Sequence, residues 1–243
     1  MKLYALSDRG KVRKENQDSF LLHKEPDERY AVAVVCDGMG GALAGSTASA
    51  MAAESFMTHV RSRLDGEEDA VLADVLREAA KYANLRVYDR SYTDFGCMGM
   101  GTTLVGVIIR GDECLAVNVG DSRLYHISNG AIRQISEDHS LVEHLIRAGQ
   151  ISRKEGRNHP QKNIITRAVG VEQSVELDIF SVNLSAGDRL LLCSDGLSNT
   201  VEDDELLAEI CGHTEPEAAG GSLMHLALER GARDNVTLAV VWN

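Results

Sequence analysis

Short apolar runs in this chain end, again and again, on an aspartate. Ala31-Val32-Ala33-Val34-Val35-Cys36 runs into Asp37-Gly38, the stretch from Cys114 to Gly120 runs into Asp121, and Arg189-Leu190-Leu191-Leu192-Cys193-Ser194 runs into Asp195-Gly196. Asp18 opens Ser19-Phe20-Leu21-Leu22, and Asp234-Asn235 opens the last run, from Val236 to Val241. One Asp-Gly pair alone reads as a turn. Repetition changes the reading, because a carboxylate at the mouth of a buried strand is desolvated at considerable cost unless a cation or hydrogen bonds compensate. No matching set of lysines or arginines stands beside the five, so a bound cation is the simplest compensation. Oxygen ligands without nearby cysteine or histidine favour Mg2+ or Mn2+ over zinc.

Strand-like runs recur at 2–6, 19–22, 31–36, 102–109, 114–119, 123–128, 131–135, 175–182, 189–193 and 236–241. Asn129-Gly130 marks the clearest hairpin, since the pair supplies the two positive φ values of a type I′ turn. Helical patterning covers 46–64 and 67–92, the second with Leu72, Val75, Leu76, Ala79, Ala83 and Val87 on one face. Shorter helices are expected at 141–148, 203–211 and 217–230. The strands come in groups joined by turns too short for crossover helices, and the long helices come as a pair. That is an α+β pattern: two packed antiparallel β-sheets, a β-sandwich flanked by helices on both sides (α-β-β-α). No repeat, low-complexity tract or linker interrupts it, so residues 1–243 are read as a single domain.

The net charge of −12, from 37 acidic and 25 basic residues, argues against nucleic-acid binding, which needs a basic footprint. The five cysteines form no CxxC pair and indicate neither a zinc knuckle nor a disulfide framework. The first residues meet Asp8 and Arg9 too soon for a signal peptide, and no run approaches membrane-spanning length. The expectation is a cytoplasmic monomer without membrane insertion. Other phosphate chemistries fail on spacing. Gly40 and Gly45 are followed by Ser46-Thr47 without the lysine of a Walker A loop, no cysteine is followed by arginine at C-x5-R spacing, and GxGxxG is absent.

Eight motifs, in order from residue 7 to 237, together resemble the PP2C-type (PPM) metal-dependent protein phosphatases, in the bacterial branch. They begin with Ser7-Asp8-Arg9-Gly10 running on to Asn16-Gln17-Asp18, then Asp37-Gly38-Met39-Gly40-Gly41, Met100-Gly101-Thr102-Thr103 and Val119-Gly120-Asp121-Ser122-Arg123. Glu137-Asp138-His139-Ser140, Ile164-Ile165-Thr166-Arg167, Ser194-Asp195-Gly196-Leu197 and Arg233-Asp234-Asn235-Val236-Thr237 complete the series. Each motif alone is weak; the ordered series is specific.

The resemblance implies a phosphatase catalytic domain with a flap subregion around 141–166. It implies that Asp37 bridges two Mn2+ or Mg2+ ions, that the Gly38 carbonyl ligates the first, and that Asp195 and Asp234 complete the second. Asp18 would act on the first ion largely through waters, Asp121 would hold a third, weaker ion, with Asn163 as a further candidate there, and Arg13 would clamp the phosphate through its planar fork. The implied reaction is in-line attack on phosphoserine or phosphothreonine by a hydroxide bridging the metals. The implied partners are phosphorylated proteins and an opposing serine/threonine kinase; a non-catalytic pseudophosphatase that binds phosphorylated partners is the alternative. Two departures stand out. Met39 replaces a histidine that other members use as leaving-group acid, and Gln17 replaces a glutamate, removing a negative charge near the ions. His139 reads as a structural hydrogen-bonding residue, and His159 as substrate-proximal in the flap.

Overall fold

The run 31–36 is apolar throughout because it is buried on both faces. It forms most of strand β3 (Ala31–Met39). Val32 and Val34 point into one apolar cluster and Ala33 and Val35 into another, as the two-residue period of a strand requires. This holds in a computed structural model that describes residues 1–41, 44–67 and 69–243.

β3 belongs to a sheet with β2 (Asp18–Lys24), β4 (Gly101–Thr102), β5 (Leu104–Arg110), β6 (Glu113–Val119) and β9 (Asp178–Asn183), in the order β2-β3-β5-β6-β9 with β4 paired to β3. The second sheet runs β1 (Lys2–Asp8), β11 (Val236–Trp242), β10 (Arg189–Cys193), β7 (Arg123–Ser128), β8 (Ala131–Gln134). Every pairing is antiparallel. Between the sheets lie Ala33, Val35, Val105, Val107, Leu190, Leu192, Ala239 and Val241. Helices α1 (Ala44–Gly66) and α2 (Leu72–Thr93) cover the first sheet, and α6 (Asp203–Gly212) and α7 (Pro216–Glu229) cover the second. The expected α-β-β-α sandwich is the fold.

Element ends shift by a few residues throughout, and three of the differences have a local reason. The helix expected from residue 67 begins at Leu72, after a turn in which Ala70 N–H donates to Glu67 O; Glu68 lies outside the described residues. The strand expected over 102–109 is split at Thr103, whose N–H donates to Asp37 O and whose Oγ1 accepts from Asp37 N–H. The strand expected from 175 starts at Asp178, opposite Asn118, because its partner β6 ends one residue later at Val119. Short helices α3 (Leu141–Arg147), α4 (Arg153–Arg157) and α5 (Asp195–Ser198) complete the fold; α4 and α5 span too few residues to show helical periodicity. α3 and α4 form an excursion whose base is closed by Leu141 N–H to Ile164 O and Thr166 N–H to His139 O.

Helix α1 approaches the sheet closely at Gly106, where an added Cβ would stand 2.9 Å from Cζ of the fully buried Phe56. Gly106→Val should therefore destabilise the protein by about 1–3 kcal/mol through overpacking, read from urea unfolding. Phe56→Leu in the same chain should recover part of that loss; no coupling between the two positions would contradict this packing.

Candidate metal centre and active site

Antiparallel register sets Asp18 directly opposite Asp37 across β2 and β3. Like charges at facing positions repel at a Cβ separation of about 5 Å. Asp18 is buried, and Asp37 is half-buried. Burial first, then repulsion from other carboxylates, pushes Asp18 up to about 6 and Asp37 well above the ordinary range. Asp18 is held by a 2.8 Å hydrogen bond from Ser194 Oγ, whereas its Oδ1 is buried without a hydrogen-bond partner.

The other acidic residues arrive from the second sheet and from the β6–β7 turn. Asp195 is the first residue of α5, just past β10, and Asp234 stands just ahead of β11. The two ends approach so closely that a Cβ on Gly196 would fall 1.9 Å from Asn235 O. Glycine is required there. Asp195 accepts from Asn199 Nδ2 at 3.0 Å on one oxygen, and its Oδ1 is buried and unpartnered. Burial and then the Asp234 and Asp18 charges raise it to about 7. Asp121 follows Gly120, whose φ of +107° turns the chain between β6 and β7; burial and then Asp195 raise it well above the usual carboxylate range.

Arg13, Asp37, Gly38, Asp121, Asp195 and Asp234 line one cleft of about 210 Å³, together with Gln17, Met39, Thr103, Asn163 and Asn235. Of the seven site residues expected from sequence, only Asp18 lies off its wall, buried behind Asp37. Arg13 lies across the mouth, with Nη2 2.7 Å from Asp234 Oδ2. That bond and the nearby Asp37 and Asp195 charges hold its pKa above the usual arginine value.

Sequence reasoning missed the residues that support this arrangement. Asn235 donates from Nδ2 to Arg9 O and Glu15 O and accepts Gln17 N–H on Oδ1, so one amide shapes the loop that carries Arg13. Ser194 Oγ donates to Asp18 and accepts Thr237 N–H, and Thr103 Oγ1 binds both Asp37 N–H and Ser122 Oγ. Their only signal was adjacency to the acidic motifs. His139 has the structural role expected: Nδ1 accepts Gly120 N–H, Nε2 faces Asp178 at 3.1 Å, and burial lowers its pKa. His159 accepts Gln161 N–H within its own turn and is not on the cleft wall.

Among the described residues no three acidic, imidazole or thiol side chains close on a point as a ready-made cage. Any ion would complete its sphere with backbone carbonyls and water, which hard cations accept. The donors fit such ions: they are all oxygen, they carry excess negative charge, and two buried carboxylate oxygens lack partners.

A model of the protein phosphatase 2C family matches residues 10–225. The serine/threonine phosphatase stp of Listeria welshimeri is 37% identical over 238 residues, covering 97% of this chain and 93% of that protein. The structure of the serine/threonine phosphatase Stp1 from Staphylococcus aureus aligns with a TM-score of 0.88 at 34% identity, over 100% of this chain and 94% of that one. The catalytic domain of the serine/threonine phosphatase PstP, solved in complex with two manganese ions, aligns with a TM-score of 0.82 at 33% identity, over 98% and 96%. With its fold, its acidic cleft and near full-length similarity in agreement, the chain belongs to the protein phosphatase 2C family and is a serine/threonine phosphatase.

Proposed function

We propose that this cleft holds two divalent cations, Mn2+ or Mg2+: Asp37 would serve both, the Gly38 carbonyl the first, and Asp195 and Asp234 the second. Asp18 steadies the first site from behind through water, and Asp121 with Asn163 offers a third, weaker position. The observation that carries this reading is the convergence of Asp37, Asp121, Asp195 and Asp234 on one cleft, with unpartnered buried oxygens on Asp195 and Asp18. The proteins served are those phosphorylated on serine or threonine by an opposing kinase, in the cytosol, by a monomeric single domain. Five free thiols suit a reducing compartment, and among the described residues no helix is long and apolar enough to cross a membrane.

The residues define the chemistry around the phosphate. Two cations, when bound, supply the acidity that makes water a nucleophile at neutral pH and positive charge for the phosphoryl oxygens. Thr103 is the only hydroxyl side chain on the described cleft wall, and it is engaged with Asp37 N–H and Ser122. The carboxylates on that wall are the proposed cation ligands, which leaves water as the nucleophile in this reading. Arg13 is half-exposed, and such surface ion pairs are weak. It can leave Asp234 for two phosphate oxygens, freeing that carboxylate for a cation. Met39 lines the cleft but carries no proton to give, so it is not the leaving-group acid. A pseudophosphatase would lack part of this set, and each expected carboxylate is present.

Turnover of p-nitrophenyl phosphate and of a phosphothreonine peptide should require Mn2+ or Mg2+ and fall more than about 100-fold in Asp37→Asn. Activity that survives both chelation and this substitution would refute the assignment. Arg13→Ala should lower kcat/KM for both substrates by about tenfold or more, while cation affinity measured by calorimetry holds or rises, because Asp234 loses a competitor.

The raised carboxylates also give the metal-free protein a defined pH response. A folded value above the unfolded one means that the native state holds the proton more tightly. That stabilisation is complete below the ordinary value of 3.8 and is lost as pH climbs through about 6 for Asp18 and about 7 for Asp195. In chelator, Tm should therefore fall between pH 5 and pH 8 by at least about 4 °C. Mn2+ should restore it at pH 8, and Asp195→Asn should flatten the curve in scanning fluorimetry. An Asp195→Asn profile that tracks the wild type would count against this account.

A further inference from the structure

Three large apolar side chains cluster at the surface beside the cleft. Tyr92 is 74% exposed, Met98 62% and Val171 51%. Tyr92, Met98 and Val171, with Ser91, Met100 and Gly170, line a separate pocket of about 280 Å³. A group of exposed apolar residues, in contrast to scattered single ones, marks a binding surface.

This pocket adjoins the active site through one glycine. Gly101 pairs with Met39 across β3 and β4. A Cβ added at Gly101 would stand 2.7 Å from Met39 Cε and 2.8 Å from Val171 Cγ2. The two side-chain tips therefore lie within about 5.5 Å of each other over the same glycine. Met39 is a wall of the cleft and Val171 a wall of the pocket, so an apolar path leads from one to the other.

Val171 is also held in place. Buried Asn84 on α2 accepts Gly170 N–H at 2.7 Å and donates to Glu172 O and Gln173 O, fastening the turn on both sides of Val171. Val169 exchanges backbone hydrogen bonds with Thr102, whose Oγ1 donates to Asp37 O. A valine displayed outward from a turn pinned at both ends is a preorganised contact.

Resting on the reading of the cleft as the phosphatase site, we propose that this pocket is a specificity subsite for an apolar side chain of the phosphoprotein segment being dephosphorylated. Asp37 and Met39 are two strand residues, about 7 Å, apart, and Val171 lies just beyond. An extended peptide with its phosphate in the cleft reaches the pocket in roughly three or four residues at about 3.3 Å each.

The test uses the Mn2+-loaded full chain and phosphothreonine peptides carrying leucine or aspartate at the third and fourth positions on either side. One side should show a leucine-to-aspartate ratio in kcat/KM of about tenfold, the discrimination an apolar pocket gives. Val171→Ser and Met98→Ser should move that ratio toward one. The ratio does not depend on the fraction of folded enzyme, so a weakened variant still reports. Wild-type enzyme that hydrolyses p-nitrophenyl phosphate but shows no preference on either side would overturn the subsite alone. Failure on every substrate, p-nitrophenyl phosphate included, would overturn the phosphatase reading beneath it. A concentration-dependent dimer abolished by the same substitutions would assign the patch to a second copy and overturn the proposal.

Discussion

Two carboxylates facing each other across a strand pair set the terms for the rest of the molecule. Asp18 and Asp37 are fixed in register by the β2–β3 ladder, so they cannot move apart without unzipping a sheet. Asp195 and Asp234 add further negative charge from the opposite sheet, and burial with mutual repulsion raises Asp37 and Asp195 despite the hydrogen bond that Asn199 gives Asp195. Backbone stiffness turns that repulsion into affinity for cations. A looser scaffold would let the carboxylates separate and would lose the attraction.

The stiffness comes from small residues and buried amides at the junction of the two sheets. Thr103 ties the β3 edge to the β4–β5 break, Ser194 links β10 to β2 and β11, and Asn235 laces the loop of Arg13 to the start of β11. Gly196 permits the close passage of β10 past β11. None of these groups touches phosphate in the proposed reaction. They position the carboxylates, and this explains why short polar residues and glycines crowd the acidic motifs.

Much of this was legible in the sequence. The fold class followed from strands that come in groups and helices that come in pairs, and the aspartates declared themselves by sitting where apolar runs end. What stayed hidden was long-range. Nothing near Asn235 says that its amide will bridge Arg9 and Glu15, over 200 positions away. The break at Thr103 was invisible because Thr102-Thr103, β-branched and followed by an apolar run, reads as continuous strand, and the start of α2 because 67–69 is as polar as a helix surface. His159, expected near substrate because it lies in the flap, accepts Gln161 N–H within its own turn.

β11 occupies an inner position of its sheet, between β1 and β10, although it is the last strand in the chain. Its register with β1 joins residues more than 200 positions apart, and pairings of such long sequence separation form slowly. Asp234 travels with it. The acidic cleft is therefore complete only once β11 has inserted between β1 and β10.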